Sequence, residues 1–235
     1  MNTKQKIAVF DIDGTIFRKN LHFELINELV WMKVFPRYVR KKLIDLYTDW
    51  LEHKGTYESY RMELVKLYNQ HIKGKKPQEI KRASQIVVPF HKNRTYIYAD
   101  SLINKLRKKN YHIIAISGSP IEIVEEFNKL HMGLDKVFGT VYETDKQGFY
   151  TGKEKFTPVK NKGFLLKQYI IEHNLTLENS FGIGDTESDL SFLELVSHPI
   201  AFNPNFNLKQ IAEKKGWTIK VEKKDVIYDV TCKIK

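Results

Sequence analysis

The sequence predicts an α/β fold, a doubly wound parallel sheet with an α-helical block inserted after its first strand. Two observations support this prediction. Beyond residue 93, short β-branched runs alternate with stretches of helical periodicity, which is typical of such a sheet. Between residues 19 and 92, apolar residues recur at helical spacing. A chain of 235 residues is long enough to bury one sizeable core together with this insertion.

The first half of the chain is predicted to contain one strand followed by helices. The apolar run at 6–10 indicates a buried strand. Helical spacing then links two sets of apolar residues: Leu21, Leu25, Leu29 and Met32, and later Tyr57, Tyr60, Leu64, Leu67 and Tyr68. Thr56 is suited to cap the second of these helices, and the run Gly-Lys-Lys-Pro at 74–77 indicates a further break.

The second half is predicted to alternate between strands and helices. We predict strands at 112–116, 179–183, 199–202 and 217–221, helices at 98–109, 120–131, 161–173 and from about 187, and a hairpin at 138–151. Asn110 suits a left-handed helix cap. Pro120 suits the first position of a helix, which Ser119 and Glu122 would cap as a capping box. A Rossmann-like core of residues 1–18 and 93–235 and a helical cap of residues 19–92 follow from this pattern.

Composition places the chain among ordinary globular proteins. Hydrophobic residues make up 42% and aromatic residues 12% of the sequence. No run of about 18 apolar residues is present, so we expect no transmembrane helix. The first residues lack the apolar core of a signal peptide, and the single Cys232 has no partner for an internal disulfide. These features favour a cytoplasmic location.

The net charge of +11 admits nucleic acid, an anionic membrane surface or anionic small molecules as partners. The lysines occur as scattered pairs rather than one run, which favours a solvated basic surface. No zinc-finger or RNA-recognition motif accompanies them. We therefore expect no nucleic-acid partner, although a basic nucleic-acid-binding protein remains the alternative from another functional class.

Two aspartates follow the first strand directly, where residues 11–15 read Asp-Ile-Asp-Gly-Thr. Side chains two apart on a strand point to the same side, so Asp11 and Asp13 are expected to lie side by side. Carboxylates this close repel each other unless a cation lies between them or one holds a proton. One could act as a metal-bound nucleophile and the other as a proton carrier, although solvated loops also contain such pairs.

Polar residues also follow two later strands. Ser117 and Gly118 come after the strand at 112–116, where a hydroxyl, a free N–H and a helix N-terminus suit a phosphate. Asp185 and Asp189 follow the strand at 179–183, on the sheet edge where Asp11 and Asp13 lie. Such oxygen ligands suit Mg²⁺. Read singly, each segment is equally typical of an ordinary helix start.

A lysine at the start of the helix predicted at 161–173 is the fourth candidate element of the site. Lys162 could neutralise phosphate oxygens, and Lys160 is a close competitor for that role.

Together these four elements resemble the four motifs of the haloacid dehalogenase superfamily of phosphohydrolases, in order and in strand context. The helical insertion between the first two motifs and the hairpin at 138–151 are similar to the branch that includes phosphoserine phosphatase. The resemblance covers residues 5–20 and 95–221, and covers the cap by position and helical content alone.

This resemblance implies a phosphatase that uses Mg²⁺. Asp11 would attack phosphorus and form an aspartyl-phosphate, and Asp13 would protonate the leaving oxygen. An acid at position 13 favours hydrolysis of phosphate esters, because relatives that cleave carbon–halogen bonds need none there. Mg²⁺ would be bound by the Asp11 carboxylate, the Asp13 carbonyl and Asp185, with Asp189 orienting these ligands.

The same resemblance implies that Ser117, the Gly118 N–H and Lys162 hold the transferring phosphate oxygens. Phosphoserine phosphatases are expected to carry a Glu shortly after the first motif, for the substrate ammonium. This chain has Asn20 there, with His22 nearby.

Asn20 and His22 are therefore candidate specificity residues, and Glu24 could replace the missing acid only with a shifted register. The expected substrate is a small phosphorylated metabolite. Phosphoserine, a lipid phosphate, and phosphoryl transfer to another alcohol are the alternatives.

The first half of the predicted cap combines apolar, aromatic and basic residues: Phe23, Trp31, Met32, Phe35, Arg37, Tyr38, Arg40, Lys41 and Lys42. This composition is typical of an amphipathic helix packed on a core, and a peripheral contact with a lipid surface is the alternative.

Overall fold

The computed structural model describes residues 4–230, and one eight-stranded sheet organises them. Its strands are β1 (Gln5–Phe10), β2 (His112–Pro120), β3 (Lys136–Thr144), β4 (Tyr150–Phe156), β5 (Leu175–Gly184), β6 (His198–Phe202), β7 (Thr218–Lys223) and β8 (Val226–Asp229). Their order in the sheet is β4-β3-β2-β1-β5-β6-β7-β8. The six inner strands are parallel, and β4 and β8 are antiparallel edges. The predicted α/β class is confirmed.

Nine α-helices connect these strands. They are α1 (Leu21–Trp31), α2 (Arg37–Leu51), α3 (Tyr57–Ile72), α4 (Pro77–His91), α5 (Ile97–Lys108), α6 (Ile121–Phe127), α7 (Lys162–Glu172), α8 (Leu190–Leu193) and α9 (Phe206–Lys215) within residues 4–230. No helix in this part of the chain is both long and apolar enough to cross a membrane.

Strand β1 lies at the centre and divides the core into two layers. Ala8 and Phe10 pack into the larger layer, which also takes in α1 to α6. Ile7 and Val9 point to the opposite face and pack with residues of α7, α8 and α9. This alternation follows from the period of two along a strand, and it explains why residues 7–10 are all buried, whereas Lys6 is exposed.

Helices α1 to α4 follow one another between β1 and α5, where the sequence predicts a cap. Helix α1 packs against α4 and α2 packs against α3. In the aromatic, basic stretch predicted from the sequence, Phe35 is buried while Trp31 and Tyr38 are exposed. The division into a core of 1–18 and 93–235 and a cap of 19–92 stays a prediction, as does peripheral lipid contact. Cys232 lies outside the described residues.

Several predicted local features differ from the structure. Strand β2 continues to Pro120, so the predicted capping box of Ser119 and Glu122 is wrong. The Ser119 hydroxyl instead donates to Asp13, and Glu122 accepts a hydrogen bond from Tyr150. The segment predicted as one helix at 120–131 is α-helical to Phe127, and a π-helical turn follows over Asn128–Met132. Two further differences are a 3₁₀ turn at Glu187–Asp189 before α8, and strand β8, which was not predicted.

Other local predictions are confirmed. The Thr56 hydroxyl caps α3 by accepting a hydrogen bond from the Ser59 N–H at 3.1 Å. Helix α4 begins at Pro77, and Asn110 adopts a left-handed conformation with φ of 58°.

Candidate active site

The predicted site residues meet at the carboxyl edge of the sheet. Strand β1 lies between β2 and β5, so the ends of three neighbouring parallel strands face the same edge. Asp11 follows β1, Ser117 lies near the end of β2, and Asp185 follows β5. In open α/β sheets this edge is where ligands bind.

Lys162 connects two of the aspartates below this edge. Its ammonium lies 2.5 Å from Asp11 Oδ1 and 2.6 Å from Asp189 Oδ1, and it donates to the Ile116 carbonyl at 3.0 Å. All three charged side chains are buried. Burial alone would lower the pKa of Lys162, but the two carboxylates outweigh it and raise this pKa. The ammonium is therefore a permanent positive charge in the site.

Lys160, the alternative lysine, lies outside the site. Its side chain is 81% exposed, and its nearest acidic group is Glu154 at 3.9 Å.

The two aspartates of the first motif have different environments. Burial raises the pKa of Asp11 to about 8, although the adjacent Lys162 lowers it. Asp13 instead accepts hydrogen bonds from the Leu21 N–H at 2.6 Å and from two serine hydroxyls at 2.7 Å. Burial raises the pKa of Asp13 as well, although these three donors oppose the shift. Asp11 thus faces a cation, whereas Asp13 is held in a fixed orientation.

Ser117 supports Asp13 in this structure. Its hydroxyl donates to Asp13 Oδ2 and accepts from the Ser119 N–H at 2.9 Å. The sequence predicts a phosphate contact for the same hydroxyl. Gly118 lines a small pocket with Asp11 and Lys162, and a Cβ at Gly118 would lie 2.6 Å from Val159 Cγ2.

Asp185 completes a cluster of carboxylates that suits a divalent cation. Asp11, Asp185 and Asp189 each offer a carboxylate oxygen within 4.8 Å of the others. Burial and the charges of Asp11 and Asp189 raise the pKa of Asp185 well above its usual range. A hard cation would relieve this repulsion, so the donor set fits Mg²⁺.

Asp189 is arranged to orient this cluster. Its Oδ2 accepts hydrogen bonds from the backbone N–H groups of Asp185 at 3.0 Å and Thr186 at 3.1 Å, while its Oδ1 contacts Lys162. The Asp13 carboxylate lies outside the cluster, and the metal contact predicted for that residue is through its backbone carbonyl.

The absence of a side chain at Gly14 leaves space for the Asp185 carboxylate next to the end of β1. A Cβ at this position would lie 2.1 Å from Asp185 Oδ2, and the backbone φ of +94° belongs to a region that favours glycine.

The candidate specificity residues begin helix α1. Asn20 Oδ1 accepts from the Phe23 N–H at 3.0 Å, so this side chain caps the helix while it lines the pocket. Burial and the charge of Arg61 lower the pKa of His22 to about 3. The neutral His22 ring packs edge-on against Tyr68, with 4.4 Å between centroids.

Helix α3 supplies pocket residues that sequence reasoning missed. Tyr57, Arg61, Leu64 and Val65 face the small pocket at successive turns of this helix. Arg61 is held by two hydrogen bonds to Glu58, at 2.9 and 2.6 Å. The helical spacing of these four positions is the one sequence signal that they share. A helix that packs its apolar face on the core has the same spacing, so the sequence does not distinguish the two cases.

A larger cavity of about 670 Å³ adjoins the small pocket. Four residues line both spaces: Asn20, Tyr57, Asp185 and Thr186. The site therefore consists of a narrow acidic end and a wide end whose lining surface is mostly apolar.

Comparison with known proteins agrees with this geometry. The family model for haloacid dehalogenase-like hydrolases matches residues 8–194. The chain belongs to this family. Among curated relatives of this hydrolase, a histidinol-phosphatase of Neisseria meningitidis is 24% identical over 92% of this chain and 98% of the relative. A phosphoserine phosphatase of Archaeoglobus fulgidus is 24% identical over 90% of this chain and 56% of the relative.

Solved structures share the fold of this hydrolase. A Bordetella pertussis protein of unknown function superimposes with a TM-score of 0.73 at 20% identity, covering 92% of this chain and 98% of the other. A phosphoserine phosphatase with a phospho-aspartyl intermediate analogue gives a TM-score of 0.63 at 21% identity, covering 95% and 96%. The family predicted from the four motifs is confirmed.

Proposed function

We propose that this hydrolase is a Mg²⁺-dependent phosphatase that hydrolyses a small phosphate monoester through an aspartyl-phosphate intermediate. One observation carries the proposal. Two neighbouring aspartates, Asp11 buried and Asp13 half-buried, have different partners. Asp11 has a lysine and a carboxylate cluster, whereas Asp13 has three hydrogen-bond donors. This difference suits a nucleophile beside an acid. The phosphatases among the relatives support the same reaction class.

The proposed reaction has two steps. In the first, an Asp11 oxygen attacks phosphorus, the ester P–O bond breaks, and Asp13 gives its proton to the departing oxygen. In the second, water attacks the aspartyl-phosphate, Asp13 takes a proton from that water, and the bond between phosphorus and Asp11 breaks. The raised pKa of Asp13 suits its role as the initial acid.

The Asp11 and Asp185 carboxylates and the Asp13 carbonyl would hold Mg²⁺, and Asp189 would fix their positions. The ion would neutralise the repulsion between the nucleophile and the phosphate. Lys162 supplies positive charge beside Asp11, and Gly118 lines the same pocket. The Gly118 N–H and the hydroxyl of Ser117, which is fully buried outside the pocket lining, are the candidates to contact phosphate oxygens.

The substrate is proposed to be a metabolite other than phosphoserine. Glu24, the nearest acid to the expected ammonium-binding position, lies outside both cavities and faces His91 at 3.6 Å and Arg94 at 3.7 Å. Asn20, which does line the pocket, carries no charge to pair with an ammonium group.

The test is phosphate release in the presence of Mg²⁺ from a panel of phosphoserine, sugar phosphates, nucleotides, lipid phosphates and phosphorylated amino alcohols. Wild type should release phosphate, whereas Asp11→Asn should give the blank rate and Asp13→Ala should be slower by at least about a hundredfold. Full activity of Asp11→Asn would contradict the nucleophile assignment. No release from any compound, together with salt-dependent retention on DNA, would favour the nucleic-acid-binding alternative.

A further inference from the structure

The larger cavity has a wall of aromatic rings. Phe23, Tyr47, Trp50, Tyr57 and Tyr60 come from α1, α2 and α3, and Tyr96 faces them from the segment before α5. At about 670 Å³, the cavity lies in the usual range for pockets that enclose a whole organic ligand. It is much larger than the side chain of a small aliphatic alcohol requires.

The rings hold one another in place. Trp50 stacks on Tyr60 with an interplanar angle of 17° and 6.0 Å between centroids, and it meets Tyr57 edge-on at 5.3 Å. Tyr47 packs against Trp50 at 5.6 Å. A pre-arranged aromatic wall receives another planar ring with little ordering cost, because stacked and edge-on contacts are directional.

Three charged side chains that line this cavity have partners within the protein. Both carboxylate oxygens of Glu58 accept from Arg61, and both of Glu187 accept from the amides of Asn205 and Asn207. Arg18 pairs with the buried Glu222.

Lys19 and Asp185 also line the cavity, and Lys19 lies 3.9 Å from Glu24.

The cavity shares lining residues with the small pocket that forms the proposed phosphate site. Tyr57, Asp185 and Thr186 line both spaces, so a phosphate held next to Asp11 leaves its ester group at the mouth of the aromatic wall. The group that binds there is then the alcohol part of the substrate.

On this geometry we infer that the substrate is the phosphate ester of an aromatic or heteroaromatic alcohol, whose ring binds against Trp50, Tyr57 and Tyr60. The inference rests on the proposed function and specifies its leaving group.

The first experiment compares kcat/KM for three esters with Mg²⁺ present: 2-phenylethyl phosphate, 2-cyclohexylethyl phosphate and phosphoserine. The phenyl ester should exceed phosphoserine by about tenfold or more, because its ring fills an apolar cavity. It should exceed the cyclohexyl ester about two- to tenfold, because ring contacts add to area burial. Equal rates for the phenyl and cyclohexyl esters, or a preference for phosphoserine, would overturn the inference.

The second experiment locates the ring with a matched pair of variants. Trp50→Leu should lower the ratio of kcat/KM for 2-phenylethyl phosphate to that for acetyl phosphate by about tenfold. Trp31→Leu should leave this ratio unchanged, because Trp31 is 70% exposed and lies outside the cavity. Tyr47→Leu serves as a second cavity variant if Trp50→Leu does not fold. An unchanged ratio in folded cavity variants would show that the wall has a packing role alone.

Acetyl phosphate separates the two proposals, because it needs a phosphoryl site but no ring pocket. Turnover of acetyl phosphate without preference for the phenyl ester would reject the aromatic leaving group and keep the proposed function. Failure of wild type to exceed Asp11→Asn on every compound would reject both.

Discussion

At the scale of single residues, Lys162 makes three buried contacts that a substitution would remove. Its ammonium is enclosed by Asp11, Asp189 and the Ile116 carbonyl, and the side chain is 1% exposed. A buried charge that loses its partner costs far more than the pair itself contributes. The stability of the site and its chemistry therefore depend on the same side chain.

We expect Lys162→Met to abolish phosphatase activity and to lower the free energy of unfolding by about 3 to 5 kcal/mol, because two buried carboxylates lose their cation. Urea unfolding in EDTA measures this loss. Lys160→Met is the control and should change the free energy of unfolding by less than about 1 kcal/mol, because its side chain is largely solvated. Similar losses in both variants would contradict the assignment.

The lowered pKa of His22 predicts that the free energy of unfolding decreases at acidic pH. Its pKa is about 3 in the folded protein and 6.5 when unperturbed, so the unfolded chain binds the proton more readily. The contribution is complete above pH 6.5 and is lost as the pH falls from 6.5 towards 3, by up to about 1.4 kcal/mol per pH unit.

In His22→Phe, which retains a ring against Tyr68, the free energy of unfolding should fall less steeply between pH 6.5 and 4 than in wild type. Chemical unfolding across this pH range measures the slope for wild type and for His22→Phe. His53→Gln, at an exposed position, is the control and should have the slope of wild type. Parallel pH profiles for wild type and His22→Phe would show that His22 is not the group responsible.

At the scale of secondary-structure elements, α3 is the helix on which both ends of the site depend. It places Arg61 in the small pocket and Tyr60 in the larger cavity, while Tyr57 faces both. Its first turn is fixed by reciprocal hydrogen bonds between Thr56 and Ser59. The position of the N-terminus of α3 thus determines where its pocket-lining side chains lie.

Removal of this cap by Thr56→Ala should lower the free energy of unfolding by about 1 kcal/mol. Chemical unfolding would measure the change, and Ser101→Ala, at an exposed position inside α5, should stay within about 0.5 kcal/mol of wild type. No difference between the two variants would mean that the hydrogen bonds of Thr56 do not stabilise α3.

The sequence predicted the elements that carry strong local signals, and it missed those that depend on tertiary contacts. The aspartates after β1 and β5 could be predicted because, in order with Ser117, Gly118 and Lys162, they resemble the four motifs of a known family. Arg61 was missed because its helix also carries a core-facing stripe at the same spacing.

The capping box at Ser119 failed for a different reason. Pairing with β3 extends β2 to Pro120, and the site then uses the serine hydroxyl to hold Asp13. Strand β8 was missed because its four residues are exposed and lack an alternating pattern.

At the scale of the whole molecule, the carboxyl edge of the sheet concentrates negative charge in a buried place. Burial raises the pKa of Asp11 to about 8, and burial together with the charge of Asp11 raises the pKa of Asp185 well above its usual range. Acids with a raised pKa contribute stability below their unfolded pKa, near 3.8, and lose it as the pH rises through the folded value. The metal-free protein is therefore destabilised by this cluster at neutral pH.

We expect Mg²⁺ to raise the Tm of wild type at pH 7.5 more than at pH 5, since the ion replaces protons on the cluster. Asp185→Asn should raise the Tm of the metal-free protein at pH 7.5 and reduce the shift caused by Mg²⁺. The exposed Asp225→Asn should behave as wild type in both respects. Differential scanning calorimetry with Mg²⁺ or EDTA measures these Tm values. If Mg²⁺ raises the Tm of Asp185→Asn as much as that of wild type, the ion binds elsewhere.

The central position of β1 also has a consequence for the order of assembly. This strand precedes the other seven strands along the chain, yet Ile7 pairs with His112 and Gln5 with Leu175, so both of its neighbours are synthesised much later. Pairings so distant along the chain form slowly, because a long loop must close before any contact is gained. Recovery of activity during refolding would therefore trail the recovery of helix content, and it would report the moment at which the last strand next to β1 joins the sheet.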